Sequence, residues 1–283
     1  MMLRVEFPSQ CENRILDYRK TLDQYRAAAN AEGGEVLFDC TNVCFFRPFG
    51  LSLLTILLFD VIRRERCTVS FNRPSNSAVD RYLEDQGFYS EFLFSGKVVK
   101  GAGRSTGVQL KRLEMYDGSY FDNIARWLDV NTSLSPDTVQ TVVTVSLAEV
   151  VNNVIDHSDS AVGCYVCAQY YPAEERLFFS IVDLGVGILA TLREKYPALK
   201  SSPEAISLAV QSGVSGKPIG RNAGVGLWLL TDFLKQYGGQ LQIVSFEGDW
   251  TQNSEGKCVA ANLPFQFPGT CINIIINNRT LPR

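Results

Sequence analysis

The sequence predicts an α/β protein in two parts: a two-layer α/β sandwich over residues 118–283, preceded by a smaller α/β domain over residues 1–95. Three observations carry this expectation. Strand-like and helix-like runs alternate through residues 1–95. A stretch rich in Gly and basic residues, 96–117, reads as a linker or hairpin between the two parts. In the second part helical runs precede and interleave with strands, which places helices on one face of a mixed, largely antiparallel sheet.

In the first part, Cys11 to Ala29 carries Ile15, Leu16, Leu22, Tyr25 and Ala29 at roughly helical spacing, and Glu35 to Asp39 is a short apolar strand after Gly33-Gly34. Gly50 to Arg64 reads as a mostly apolar helix and Cys67 to Phe71 as a second strand. Asn76 to Gln86 reads as a helix stopped by Gly87. Gly101, Gly103 and Gly107 in the intervening stretch do not form a phosphate loop, because no Gly-Lys-Ser/Thr closes the motif.

In the second part, Gly118 to Val130 is an amphipathic helix carrying Phe121, Ile124, Trp127 and Leu128. Ser135-Pro136-Asp137 then starts a helix that runs to Asp156, with a capping side chain and Pro at the first position. Val162–Tyr170 and Leu177–Val182 read as antiparallel strands, followed by a short helix over Leu189–Tyr196. A Ser202-Pro203-Glu204 start opens a helix ending at Gly213. Val225 to Tyr237 is helical and closed by Gly238-Gly239. Three strands finish the chain: Gln240–Phe246, Lys257–Leu263 and Thr270–Ile276.

Composition narrows the function classes. With 46% apolar residues the chain can bury real cores, and a net charge of −3 argues against a general nucleic-acid or membrane-surface binder. The longest apolar run, Leu51 to Ile62, is interrupted by Ser52, Thr55 and Asp60, so no membrane span is expected. The first residues lack the basic region and apolar core of a signal peptide, and the expected location is cytoplasmic. Cys40, Cys164, Cys258 and Cys271 sit in or beside strand-like runs, where cysteine acts as a small buried hydrophobe. Cys164 and Cys167 have no second pair at zinc-ribbon spacing.

The chemistry concentrates in residues 146–158, Ser-Leu-Ala-Glu-Val-Val-Asn-Asn-Val-Ile-Asp-His-Ser. On a helix Glu149, Asn153 and His157 fall at i, i+4 and i+8 on one face, with Asn152 and Asp156 beside them. Leu147, Val150, Val151, Val154 and Ile155 cover the opposite face. Downstream come Asp183-Leu184-Gly185-Val186-Gly187 after an apolar run, and Gly224-Val225-Gly226-Leu227 at the start of an apolar helix. In this order the three stretches resemble the N, G1 and G2 boxes of the GHKL superfamily of Bergerat-fold ATPases.

The resemblance implies ATP and Mg²⁺ as ligands. Glu149 would orient or deprotonate an attacking water or hydroxyl, and Asn153 would supply a neutral oxygen to Mg²⁺. Asn152 and His157 align with positions lining the phosphates. Asp183 would accept a hydrogen bond from the adenine amino group, and Gly185 and Gly187 would let base and ribose approach the backbone. Gly224 and Gly226 would present N–H groups to phosphate, leading into Leu227. Ser212–Ala223 resembles a lid, on which Lys217 and Arg221 are either phosphate contacts or charges on an exposed loop. Thr270 resembles the threonine found near adenine.

Residues 33–90 resemble a STAS domain, the module of anti-sigma-factor antagonists, through Asp39 and the loop Phe45-Phe46-Arg47-Pro48-Phe49-Gly50. Phe49 stands where that family carries its phosphoacceptor serine, with Ser52 a poor substitute, so this domain is expected to bind a protein partner, self-associate as in a homodimer, or pack against its neighbour. The single histidine already lies in the N box, which argues against a histidine kinase. Three activities remain: an ATP-dependent regulatory switch with slow or partner-stimulated hydrolysis, a serine/threonine protein kinase of the anti-sigma-factor type, and a non-hydrolysing nucleotide-binding scaffold.

Overall fold

The computed structural model describes residues 2–92, 105–140, 146–214 and 226–281. The chain divides into two compact units, Met1–Arg104 and Ser105–Arg283.

The first unit is an α/β layer structure. Strands β1 (Met2–Glu6), β3 (Glu35–Asp39) and β5 (Thr68–Asn72) form a parallel sheet in the order β1-β3-β5. Parallel neighbours need crossovers. Helix α1 (Arg19–Ala29) connects the first two, burying Leu22, Tyr25, Ala28 and Ala29 at helical spacing. Helix α2 (Pro48–Arg63) connects the next two. It begins with Pro in its first turn after an extended Arg47, as the ring's preset φ favours. The chain then forms α3 (Ser77–Asp85), capped by the Asn76 side chain, and the short α4 (Phe88–Phe92). A small parallel pair, β2 (Gln10–Cys11) and β4 (Phe45–Phe46), lies beside the start of α2. There a Cβ on Gly50 would lie 2.6 Å from Cys11 Cβ and 2.7 Å from Tyr18 Oη, so Gly50 permits close packing. Phe49 is fully buried, edge-on to Tyr18 at 5.1 Å between centroids: the position before Gly50 holds a core aromatic.

One expectation for this unit changes, and two further elements were not expected. The helix expected from Cys11 starts only at Arg19, after β2 and a short 3₁₀ turn, because Cys11 is drawn into pairing with Phe46. Strand β1, for which no element was expected, alternates Leu3 and Val5, and Phe7 just beyond it, with Arg4 and Glu6 and pairs with β3. Helix α4 is too short to show a helical period.

The second unit is an α/β structure built on a single antiparallel sheet. Its seven strands lie in the order β11-β10-β9-β12-β8-β7-β6, every neighbouring pair antiparallel. They are β6 (Gly107–Leu113), β7 (Cys164–Tyr171), β8 (Arg176–Asp183), β9 (Gln240–Ser245), β10 (Gly248–Gln252), β11 (Cys258–Asn262) and β12 (Thr270–Asn277). The sheet is therefore antiparallel, not mixed. Residues 107–113, assigned in sequence to the linker or hairpin, form an edge strand paired with β7, so the second unit begins at Ser105 and not at residue 118. Four strands, not three, complete the fold. Gly-Asp-Trp-Thr-Gln of β10 lacks an apolar repeat and is a strand because β9 and β11 flank it.

Helices cover one sheet face: α5 (Gly118–Asn131), α6 (Pro136–Val139), α7 (Ala148–His157) and α10 (Gly226–Gln236) enclose the core with α9 (Ser202–Ala209). Leu177, Phe179 and Ile181 of β8 alternate into that core with Ile272, Ile274 and Ile276 of β12 and Leu241 and Ile243 of β9. Trp127 of α5 meets Phe179 edge-on at 5.2 Å. Ser135 caps α6 by accepting from Thr138 N at 3.2 Å, and α7 ends at His157. The middle of the helix expected between them, 141–145, lies outside the described residues. Helix α9 starts one residue earlier than expected, with Ser201 as cap and Glu204 closing the capping box.

All eight cysteines are free thiols. Cys40, Cys164, Cys167 and Cys271 are buried, whereas Cys258, expected to be buried, is exposed because β11 is an edge strand. No helix among the described residues is long and apolar enough to cross a membrane.

Candidate functional site

The period of the sheet builds the site. On β8 the positions that face the helix layer are Leu177, Phe179 and Ile181, and the next in phase is Asp183. On β12 the same face ends at Thr270, and on β9 at Ser245. Strand pairing sets Thr270 opposite both Asp183 and Ser245. One end of the core floor is thus a polar row of three residues from separate parts of the chain. Ser245 Oγ and Thr270 Oγ1 are 3.3 Å apart, and Ser245 Oγ accepts from Ile188 N at 3.0 Å.

Above this row lies a cavity of about 110 Å³. Helix α7 contributes Val150, Asn153, Val154 and His157, a stripe at helical spacing, followed by Ser158. The turn and helix after β8 contribute Gly187, Ile188, Thr191 and Leu192, and Ala209, Val214, Leu227, Asp183, Thr270 and Ile272 complete the wall. The lining is mostly apolar, with a carboxylate and hydroxyls at one side and an amide and an imidazole along another.

Asp183 is 1% exposed. Burial pushes its carboxyl up to about 7, against the backbone N–H groups of Gly185 and Thr270, which favour the ionised form. Gly185 N donates to Asp183 Oδ1 at 2.7 Å. The neighbouring thiols Cys164 and Cys271 are pushed up, first by burial and then by acidic neighbours that include Asp183, so neither is a thiolate nucleophile.

The glycines act through close approach. A Cβ on Gly185 would lie 2.0 Å from Ser158 O, the atom that accepts from Val186 N at 2.6 Å. Gly187 has φ +77° and faces Phe246 and Ser245, where a Cβ would sit 2.5 Å from the ring. Together they press the turn after β8 onto the end of α7 and the end of β9. Thr191 Oγ1 donates to His157 O at 3.3 Å and Gly187 O at 3.1 Å, tying helix α8 (Gly187–Arg193) to the same corner.

Of the residues singled out in sequence, Asn153, His157, Asp183, Gly187, Leu227 and Thr270 line the cavity. Asn152 and Glu149 do not: Asn152 is about 100° around α7 from Asn153, and Glu149 sits a turn earlier, against Gly226. A Cβ on Gly226 would lie 2.8 Å from Glu149 Cβ, so this glycine makes room for the Glu149 side chain. Gly185 stands behind the cavity, shaping the turn and supporting Asp183. Lys217, Arg221 and Gly224 lie outside the described residues, as does the lid stretch from 215 onward.

Sequence reading missed Ser158, Thr191 and Ser245. Ser158 directly follows the helix stripe and was within reach of local reasoning. Ser245 carries no local signal, because only the β9–β12 pairing brings it beside Thr270. Among the described residues no cluster of three or more His, Cys, Asp or Glu is arranged to hold a metal ion. No family model matches the sequence, and no curated protein matches it.

Proposed function

We propose that the second unit binds Mg-ATP in this cavity as a protein of the GHKL type, and that the chain is an ATP-dependent regulatory switch with slow or partner-stimulated hydrolysis. The observation that carries this reading is the convergence of Asn153, His157, Asp183, Gly187, Leu227 and Thr270, from three separated sequence motifs and a late strand, on one cavity. The residues fit the ligand. A buried carboxylate beside an apolar wall of Val150, Val154, Ile188 and Ile272 suits a planar base bearing an amino group. The Asn153 amide oxygen is a neutral donor for Mg²⁺, which favours oxygen ligands and keeps part of its water shell. Glu149, held one turn before Asn153 in the space left by Gly226, is the candidate general base. The bound nucleotide supplies the phosphoryl group; the protein's residues orient it and shield the base from water.

The test is calorimetric titration of the full chain with Mg-ATP and with a non-hydrolysable analogue, beside Asn153→Ala and Asp183→Ala. Saturable binding by the wild type that both variants lose is the expected result. A folded wild type that does not bind at millimolar ATP would refute the reading.

A further inference from the structure

The two edges of the seven-stranded sheet are built differently. At one, β6 is interrupted by a register shift between Val108 and Lys111 and carries Lys111 and Arg112. An irregular backbone and charged side chains both discourage another strand from adding. At the other edge, β11 pairs with β10 from Cys258 to Asn262 without a shift, contains no charged residue and no proline, and is exposed at every position. Among the described residues, no strand pairs with its outer side.

Two hydrogen bonds at its ends set the direction of its backbone groups. Leu263 N donates to Glu247 O at 2.6 Å, and Asn253 N donates to Lys257 O at 3.0 Å. In an antiparallel ladder the two sides alternate residue by residue. Lys257, Val259, Ala261 and Leu263 therefore direct their amides and carbonyls toward β10, and Cys258, Ala260 and Asn262 direct theirs outward.

We propose that β11 is the contact strand of a homodimer, in which a second copy of the chain adds its own β11 antiparallel across a two-fold axis at Ala260. In that register Ala260 faces its symmetry mate and Cys258 faces Asn262, so the outward residues of the two strands exchange about six backbone hydrogen bonds. Val259 falls opposite Ala261, a larger side chain against a smaller one on each side of the axis. The absence of charge is what self-pairing across a two-fold axis requires. A charged residue near a two-fold axis meets its own like charge, and β11 has none; Glu255 and Lys257 lie beyond the paired segment. A single strand pair of this length buries less than the roughly 1,000 Å² that a stable specific interface needs, which makes the dimer a reversible one of about micromolar affinity or weaker.

Sedimentation velocity of the full chain from about 1 µM to about 200 µM tests this. The expected result is a weight-average mass that rises from 31.5 kDa toward twice that value. Ala260→Pro removes an amide that points away from β10, a place where an edge strand tolerates proline, and should hold the protein monomeric with its circular dichroism unchanged. Val259→Lys should do the same by charge. In a Cys44→Ser, Cys258→Ser background, Ala260→Cys brings two thiols together at the axis, with Cα atoms about 5.5 Å apart, and should oxidise to a covalent dimer. Ala261→Cys in that background should not. A wild type that is monomeric throughout, or a dimer that survives both Ala260→Pro and Val259→Lys, would overturn the proposal.

Discussion

Asp183→Asn isolates the energetics of the polar row without altering its shape. The amide keeps an oxygen for the Gly185 N–H and removes the ionisation. In the native protein burial raises the carboxyl from its ordinary value of 3.8 to about 7. Between these values the folded carboxyl still holds its proton while the unfolded one has released it. Raising the pH through this window therefore favours the unfolded chain. A shift of this size corresponds to at most about 4 kcal/mol, and the part that falls between pH 5 and pH 7 is about 2 kcal/mol. The assay is urea unfolding of wild type and variant at pH 5, 6, 7 and 8, comparing the two pH profiles. All other titrating groups are common to both proteins, so the wild type should lose about 2 kcal/mol more than the variant from pH 5 to pH 7 and little more above pH 7. Parallel profiles would show that the Asp183 carboxyl is ionised throughout, and the account of a desolvated acid at the end of β8 would fail.

Further outcomes follow from the same geometry. If the base of a nucleotide donates to ionised Asp183, Mg-ATP affinity should rise by up to about tenfold per pH unit as pH increases toward 7 and level off above it. Titrations across pH 5.5 to 8.5 would read this, and an affinity that falls with rising pH would contradict it. Gly185→Ala places a methyl 2.0 Å from a backbone oxygen and should destabilise the second unit by about 3 kcal/mol, because neither backbone can yield without breaking the contact with the end of α7. A melting temperature equal to that of the wild type would disprove the close approach. Ser201→Ala removes the cap of α9 and one half of its capping box and should cost about 1 kcal/mol in chemical unfolding, with Ser201→Gly milder. A Ser201→Ala variant as stable as the wild type would show that the hydroxyl is not what holds the helix start.

Local chemistry made much of the architecture legible. Strand Glu35–Asp39, helices α2, α3 and α5, and the cap at Ser135 follow from apolar period, glycine stops and capping residues. The candidate site was legible to the same degree: Asn153 and His157 share a helix stripe, and Asp183 stands in phase with an apolar strand before a glycine turn. What was hidden depended on partners distant in sequence. Strand β6 sits in a stretch whose glycines and basic residues read as a connector. Strand β10 has a glycine, an aspartate and a glutamine among five residues, and only hydrogen bonds to neighbours on both sides make it a strand.

The sequence alone determined which short segments can be helix or strand and which face of each is apolar, because those properties arise between residues a few positions apart. Tertiary structure decided the strand order and, beyond the β7–β8 pair already legible in sequence, which strands lie antiparallel to which in the second sheet. With them came the row Asp183, Thr270 and Ser245, drawn from positions up to 87 residues apart (270 − 183) and joined by backbone ladders that no local pattern encodes. It also decided that Glu149 lies under Gly226 and not in the cavity wall, since only the packing of two helices sets which side of α7 meets the space above the sheet.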